Sequence, residues 1–135
     1  MPDRFTEEQR SKIMANIKGK NTKPEIVVFR YLRQRGIYFQ KHYKGALGSP
    51  DIALPRRKKA VFIDGDFWHG YDLERRKGLL PIYWSQKIIR NVKRDRRYRK
   101  ELTSQGWKIL RVWEHELSKK KLEETMLKIE EFLRE

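Results

Sequence analysis

Glu25, Asp51, His69 and Asp95 are the side chains best suited to acid–base or metal chemistry, and each falls where folding alone would not ask for it. Asp51 follows Ser49-Pro50 and opens a short apolar stretch. His69 lies near the end of FIDGDFWHG, residues 62–70, which sets Asp64, Asp66, Phe67 and Trp68 directly behind a strand that reads as buried. Asp95 shares a helical stripe with Trp84, Ile88, Val92 and Leu102. A carboxylate on such a stripe is unfavourable unless it is paired or bound. Hard cations such as Mg2+ are held by one or two carboxylates, carbonyls and water, with substrate phosphate completing the shell. If the strands containing Asp51 and Asp64 pair as a hairpin, the Asp51 carboxylate and the Ile63 backbone carbonyl converge at one sheet edge. With a histidine as base and further acids as acceptors, these are the parts that metal-assisted hydrolysis of a phosphodiester requires.

Every one of these residues also has an ordinary structural reading. Asp51 suits a turn, and Glu25 completes a capping box with Thr22. His69 suits a hydrogen bond inside an aromatic cluster, and Asp95 can pair with Arg94, Arg96 or Arg97. One shared site accounts for all four more simply than four separate reasons. Phe67, Trp68 and Trp84 are flat side chains in a cationic surround, suited to core packing or to stacking on bases and wedging between base steps.

The elements that must position these groups follow from periodicity and from breakers. Thr6 with Gln9 opens a short helix over residues 6–17, with Ile13, Met14 and Ile17 at helical spacing. Thr22 caps a second helix, with Pro24 in its first turn, a buried face of Val28, Phe29 and Leu32, and Gly36 at its end. Residues 37–43 and 51–54 read as strands joined by GALGSP, and residues 60–64 as the most buried strand. A long helix over residues 83–104 stops at Gly106. The strand over 107–113 is apolar on both faces and is expected to be central in the sheet. A last helix over 118–133 carries Leu122, Met126, Ile129 and Leu133 on one stripe. This order predicts an α/β sandwich around a small mixed sheet, preceded by a helical arm.

Composition sets the partner. The chain has 135 residues, of which 38% are hydrophobic, enough for one domain with a real core. Its 33 Lys and Arg against 18 Asp and Glu give a net charge of +15, which attracts polyanions through counterion release. There is no Cys, which removes disulfides, thiol nucleophiles and thiolate zinc sites. The start, MPDRFTEEQRSK, has no apolar leader, and no window approaches the run of about 18 apolar residues needed for a membrane span. The expectation is a soluble, cytoplasmic protein that meets double-stranded DNA.

Five segments in order, RSKIMANIKGKNTKPE, SPDIAL, AVFIDGDFWHG, YWSQKIIRNVKRDRR and GWKILRVWE, give the chain a resemblance to a known family over nearly its whole length. It resembles the very short patch repair (Vsr) mismatch endonucleases, a branch of the PD-(D/E)xK nuclease superfamily. The resemblance implies a restriction-endonuclease-like core at 22–135 behind a DNA-contacting arm at 1–21. It implies Mg2+ on Asp51 and the Ile63 carbonyl, His69 activating water, and Glu25 and Asp95 in support. Phe67, Trp68 and Trp84 correspond to the aromatics that intercalate beside the mismatch, and Met14 to the methionine entering from the opposite groove.

Vsr enzymes often carry a structural zinc, and this sequence departs from that pattern. The ligand positions fall on Asp66, Tyr71, Leu73 and His115, so no structural zinc is expected and an Asp66–His115 contact takes its place as a structural tie. The expected activity is nicking of one strand at a T:G mismatch in DNA repair, by a monomer with a possible repair-protein partner. The alternatives are a restriction-like or homing-type endonuclease cutting matched DNA, and a non-catalytic basic DNA-binding module whose acids are salt-bridged.

Overall fold

The computed structural model describes residues 23–73 and 77–135. The expected helix over 6–17, the arm at 1–21 and Met14 lie outside the described residues. Helix α1, Lys23–Gln34, buries Val28, Phe29 and Leu32, and Gly36 follows it with φ +73°, a conformation glycine adopts without strain. Four strands follow the predicted order: β1 (Gln40–Lys41), β2 (Ile52–Leu54), β3 (Lys59–Asp64) and β4 (Lys108–Trp113). Helix α2, Ile82–Ser104, connects β3 to β4, and helix α3, Leu122–Arg134, closes the described chain. Among the described residues no helix is long and apolar enough to cross a membrane.

The sheet is small and mixed, as expected, in the order β1-β2-β3-β4. The first two pairings are antiparallel, and β3 pairs β4 in parallel with Asp64 opposite Trp113. A parallel pair needs a crossover connection, which α2 supplies. Side chains alternate along β3, so Val61 and Ile63 enter the main core with Val28, Phe29, Leu32, Val112, Met126, Ile129 and Leu133. Residues 60, 62 and 64 therefore face the other side, toward α2, whose Trp84, Ile88 and Leu102 are buried. That alternation puts Asp64 on the same side of the sheet as α2.

Three expectations need correction. The strand over 107–113 is not central, because β4 is an edge of the sheet. Its apolar residues on both faces reflect helices on both sides of the sheet, not strands at both edges. The expected strand over 37–43 shrinks to Gln40–Lys41, since His42 turns the backbone to φ 45°. The last helix also starts later, at Leu122, after a 3-10 turn at Glu114–Leu117.

The buried start of β3 is tied to the end of α3. Lys59 is 3% exposed and its Nζ donates to the carbonyls of Phe132 at 2.6 Å and Glu135 at 2.7 Å. Arg57 Nη1 donates to the Leu133 carbonyl at 2.6 Å. Both cations satisfy helix C-terminal carbonyls that lack intrahelical partners.

Candidate active site

Asp51 immediately precedes β2, and the register places it beyond the last paired residue, Ile52, which faces Val61. Among the described residues the β3 edge opposite has no strand partner there, and the N–H of Ile63 donates to Asp51 Oδ2 at 2.7 Å. The other oxygen, Oδ1, lies 3.6 Å from His42 Nδ1, and His42 Nε2 lies 3.6 Å from Glu25 Oε2. Glu25, in the first turn of α1, is buried. Ligand atoms of Glu25, His42 and Asp51 all fall within 4.8 Å of one another.

A second group forms where FIDGDFWHG meets α2. His69 Nδ1 and Asp95 Oδ2 are 2.6 Å apart, and Asp64 Oδ1 lies 3.6 Å from the same nitrogen. Each carboxylate turns its remaining oxygen to an arginine: Arg111 Nε donates to Asp64 Oδ2 at 2.5 Å, and Arg94 Nη2 to Asp95 Oδ1 at 3.1 Å. Arg111 also donates to the His69 carbonyl at 3.3 Å and lies over the Trp113 ring, 4.0 Å from its centroid.

The two groups differ electrically. Burial, and next the neighbouring Glu25 carboxyl, pushes Asp51 up to about 9, with Asp64 adding a smaller upward push. Among the described residues no Lys or Arg pairs with Asp51. Asp95 moves the other way: burial alone would raise it, but the hydrogen bond and charge of His69, then Arg94, hold it below the usual carboxylate range. The His69 group is already neutralised by protein cations, and the Asp51 group is not. Asp51 and Glu25 with a buried imidazole nitrogen that has no hydrogen-bond partner among the described residues, His42 Nε2, form a donor set that fits a divalent cation.

The four acid and base residues named from sequence thus come together as two adjacent groups. Glu25 and Asp51 share one, His69 and Asp95 the other, and Asp64 is close enough to Asp51 to act on its charge. Sequence reasoning missed His42 and Arg111 and left Asp64 without a place. The hairpin register carried the signal for His42, because its N–H donates to the Asp51 carbonyl at 3.1 Å.

The aromatic segment packs on α2. Phe67 meets Trp68 and Trp84 edge to face, at 4.8 and 5.6 Å between centroids, and Lys87 Nζ sits 4.7 Å from the Trp68 centroid. Phe67 and Trp68 are half-buried and Trp84 is buried beneath them. Asn91 Nδ2 donates to the Trp68 carbonyl at 3.1 Å, fixing the loop from α2. Asp66 Oδ1 and His115 Nδ1 lie 2.9 Å apart, with the Tyr71 ring 4.1 Å from the His115 ring. The contact expected in place of zinc is therefore present.

Residues 2–75 match the family described as DNA mismatch endonuclease Vsr. Among similar proteins, the type II nicking enzyme V.NmeDIP of Neisseria meningitidis serogroup C is 39% identical over 120 residues, covering 87% of this chain and 81% of the relative. The type II nicking enzyme V.HpaIIP of Haemophilus parainfluenzae is 42% identical over 115 residues, 82% of each chain. The DNA mismatch endonuclease Vsr of Escherichia coli strain K12 is 32% identical over 116 residues, covering 84% of this chain and 74% of that protein.

Proposed function

The chain belongs to the Vsr family and is a DNA endonuclease, and from that premise we propose that it nicks one strand of duplex DNA at a T:G mismatch, with Mg2+ as cofactor. The observation that carries the reading is the Asp51 carboxylate, largely withdrawn from solvent beside Glu25 and His42 without a Lys or Arg partner among the described residues. Asp51 and Glu25, with the Ile63 carbonyl, would hold the cation. When bound, a divalent cation stabilises charge developing on the phosphate and acidifies a coordinated water.

The remaining steps belong to side chains. Asp95 holds His69 through Nδ1, so that with the proton on Nδ1 the opposite nitrogen is free to accept a proton from the attacking water. Arg94 donates to the Asp95 carboxylate and Arg111 to the Asp64 carboxylate, which fixes both acids beside the imidazole that takes the proton. Phe67 and Trp68, with Trp84 behind them and Lys87 alongside, would wedge beside a mispaired base. A mispair resists such deformation less than a matched pair. The excess of cationic side chains supports affinity for the DNA backbone, and the reading includes action on that DNA in the cytoplasm. Met14 and the arm at 1–21 would close on the opposite groove, and Asp66 with His115 would tie the aromatic loop where zinc serves in other Vsr enzymes.

The test is an end-labelled duplex carrying one T:G pair beside its matched twin, each with Mg2+ and with chelator. Mg2+-dependent cutting of one strand of the mismatched duplex alone is expected. Equal cutting of the matched twin overturns the mismatch assignment in favour of a restriction-like or homing-type enzyme. Binding of DNA with no product in any arm leaves only a basic binding module.

A further inference from the structure

His42 is a largely buried side chain between the acids, and its Nε2 has no hydrogen-bond partner among the described residues. Its ring stands edge-on to Phe29, 5.8 Å between centroids, and its backbone is held at φ 45° by the N–H bond to the Asp51 carbonyl. A non-glycine residue in that region is strained, and such strain persists where surrounding structure imposes it, often at functional sites. The ring is thereby fixed between two carboxylates, 3.6 Å from an oxygen of each, too far for a hydrogen bond to either. Nε2 is buried with no hydrogen-bond partner among the described residues.

We propose that His42 is a nitrogen ligand of the divalent-cation pocket formed with Glu25 and Asp51, making it a mixed nitrogen–oxygen site. This rests on the reading above that a cation binds at Asp51. Ligand atoms held about 2.0–2.2 Å from one cation stand roughly 3–4 Å apart; one ligand atom each from Glu25, His42 and Asp51 already lie within 4.8 Å of one another, so a small side-chain shift brings them onto one ion. The Asp64–His69–Asp95 group has similar spacing but a different chemistry, since His69 Nδ1 is bonded to Asp95 and both carboxylates are held by arginines. An all-oxygen pocket suits Mg2+, whereas an imidazole ligand raises affinity for first-row transition ions relative to Mg2+. The pocket therefore takes Mg2+ through its oxygens and binds Mn2+ more tightly through His42.

The experiment uses the full chain stripped of metal and titrated with Mn2+. Free Mn2+ is followed by electron paramagnetic resonance, and bound Mn2+ is examined by electron spin-echo modulation for a directly coordinated nitrogen. Wild type should show one imidazole nitrogen. The signal should persist in His69→Gln and vanish in His42→Gln, whose Mn2+ affinity falls by about tenfold while Mg2+ affinity, measured by competition, falls by about threefold at most. Circular dichroism checks that His42→Gln is folded, and His42→Asn is the second variant if it is not. Mn2+ bound without coordinated nitrogen, or a nitrogen signal lost with His69, overturns the assignment of His42 while leaving the cation pocket standing. Failure of wild type to bind Mn2+ at all overturns the pocket and the inference together.

Discussion

The backbone N–H of Ile63 donates to Asp51 Oδ2 across 2.7 Å, so the start of β2 and the end of β3 are joined through a catalytic-type carboxylate instead of a ladder bond. One oxygen is spent on position and the other faces His42. Asp51→Ala should abolish nicking by about a thousandfold or more while leaving DNA binding within a few-fold. Gel shift and nicking assays on the same duplex measure both, and cutting that survives the change removes Asp51 from the metal site.

Burial and the Glu25 carboxyl push Asp51 up to about 9 from an ordinary 3.8. A folded pKa above the unfolded one means stability is greatest at low pH and is lost as pH rises through the interval between the two values. In chelator at pH 8, Asp51→Asn should therefore be more stable than wild type by at least about 1 kcal/mol, or roughly 4 °C in Tm. Near pH 4 the difference should disappear. Thermal melts at the two pH values decide it: an equal offset at both denies that the buried charge is the cause.

Asp95 fixes the His69 imidazole through Nδ1. Asp95→Asn preserves shape but removes the charge that favours that tautomer and the imidazolium. Nicking should fall by about a hundredfold or more at saturating metal, with Mn2+ affinity unchanged. A loss of metal affinity of the same size would move Asp95 into the cation pocket instead.

Gly70 follows His69 with φ +80°, and a Cβ built on it would collide with Val92 Cγ2 on α2. Gly70→Ala should displace the loop and the histidine with it, lowering nicking by about tenfold or more. Adding Val92→Ala should restore part of the loss, because it relieves the contact but not the backbone strain. No recovery in the double variant would leave the backbone conformation as the whole explanation.

The Asp66–His115 contact at 2.9 Å ties the aromatic loop to the turn after β4. Elemental analysis of the purified protein should find substoichiometric zinc, and Asp66→Ala should lower stability by about 1 kcal/mol. Its Tm should not respond to added zinc. Tightly bound zinc at one equivalent would contradict the substitution of a hydrogen bond for a metal.

Much of the fold was legible because burial imposes periodicity on the chain. Met126, Ile129 and Leu133 of the last helix's stripe are buried with Leu122 packed partly buried beside them, and Ala60, Val61 and Ile63 of β3 are buried, as their spacing implied. The ordered motifs around Asp51, His69 and Asp95 likewise carried the family. Apolar pattern reports which faces are covered, not which strand lies beside which, and so β4 read as central when it is an edge. His42 was invisible because a single histidine after a two-residue strand has no period to stand out from. Only the hairpin register and the turn at φ 45° bring it between Glu25 and Asp51.

The sequence by itself determined the element order, the composition of the core, the attraction to polyanions and the residue types available for hydrolysis. Tertiary structure alone decided how those acids divide. Arg111, 47 residues from Asp64, and Arg94 on α2 neutralise the carboxylates around His69, while Asp51 is left to burial, Glu25 and an imidazole. Charge balance at a site depends on distances in space between residues far apart in the chain, and those are set only when the sheet and α2 close on one another.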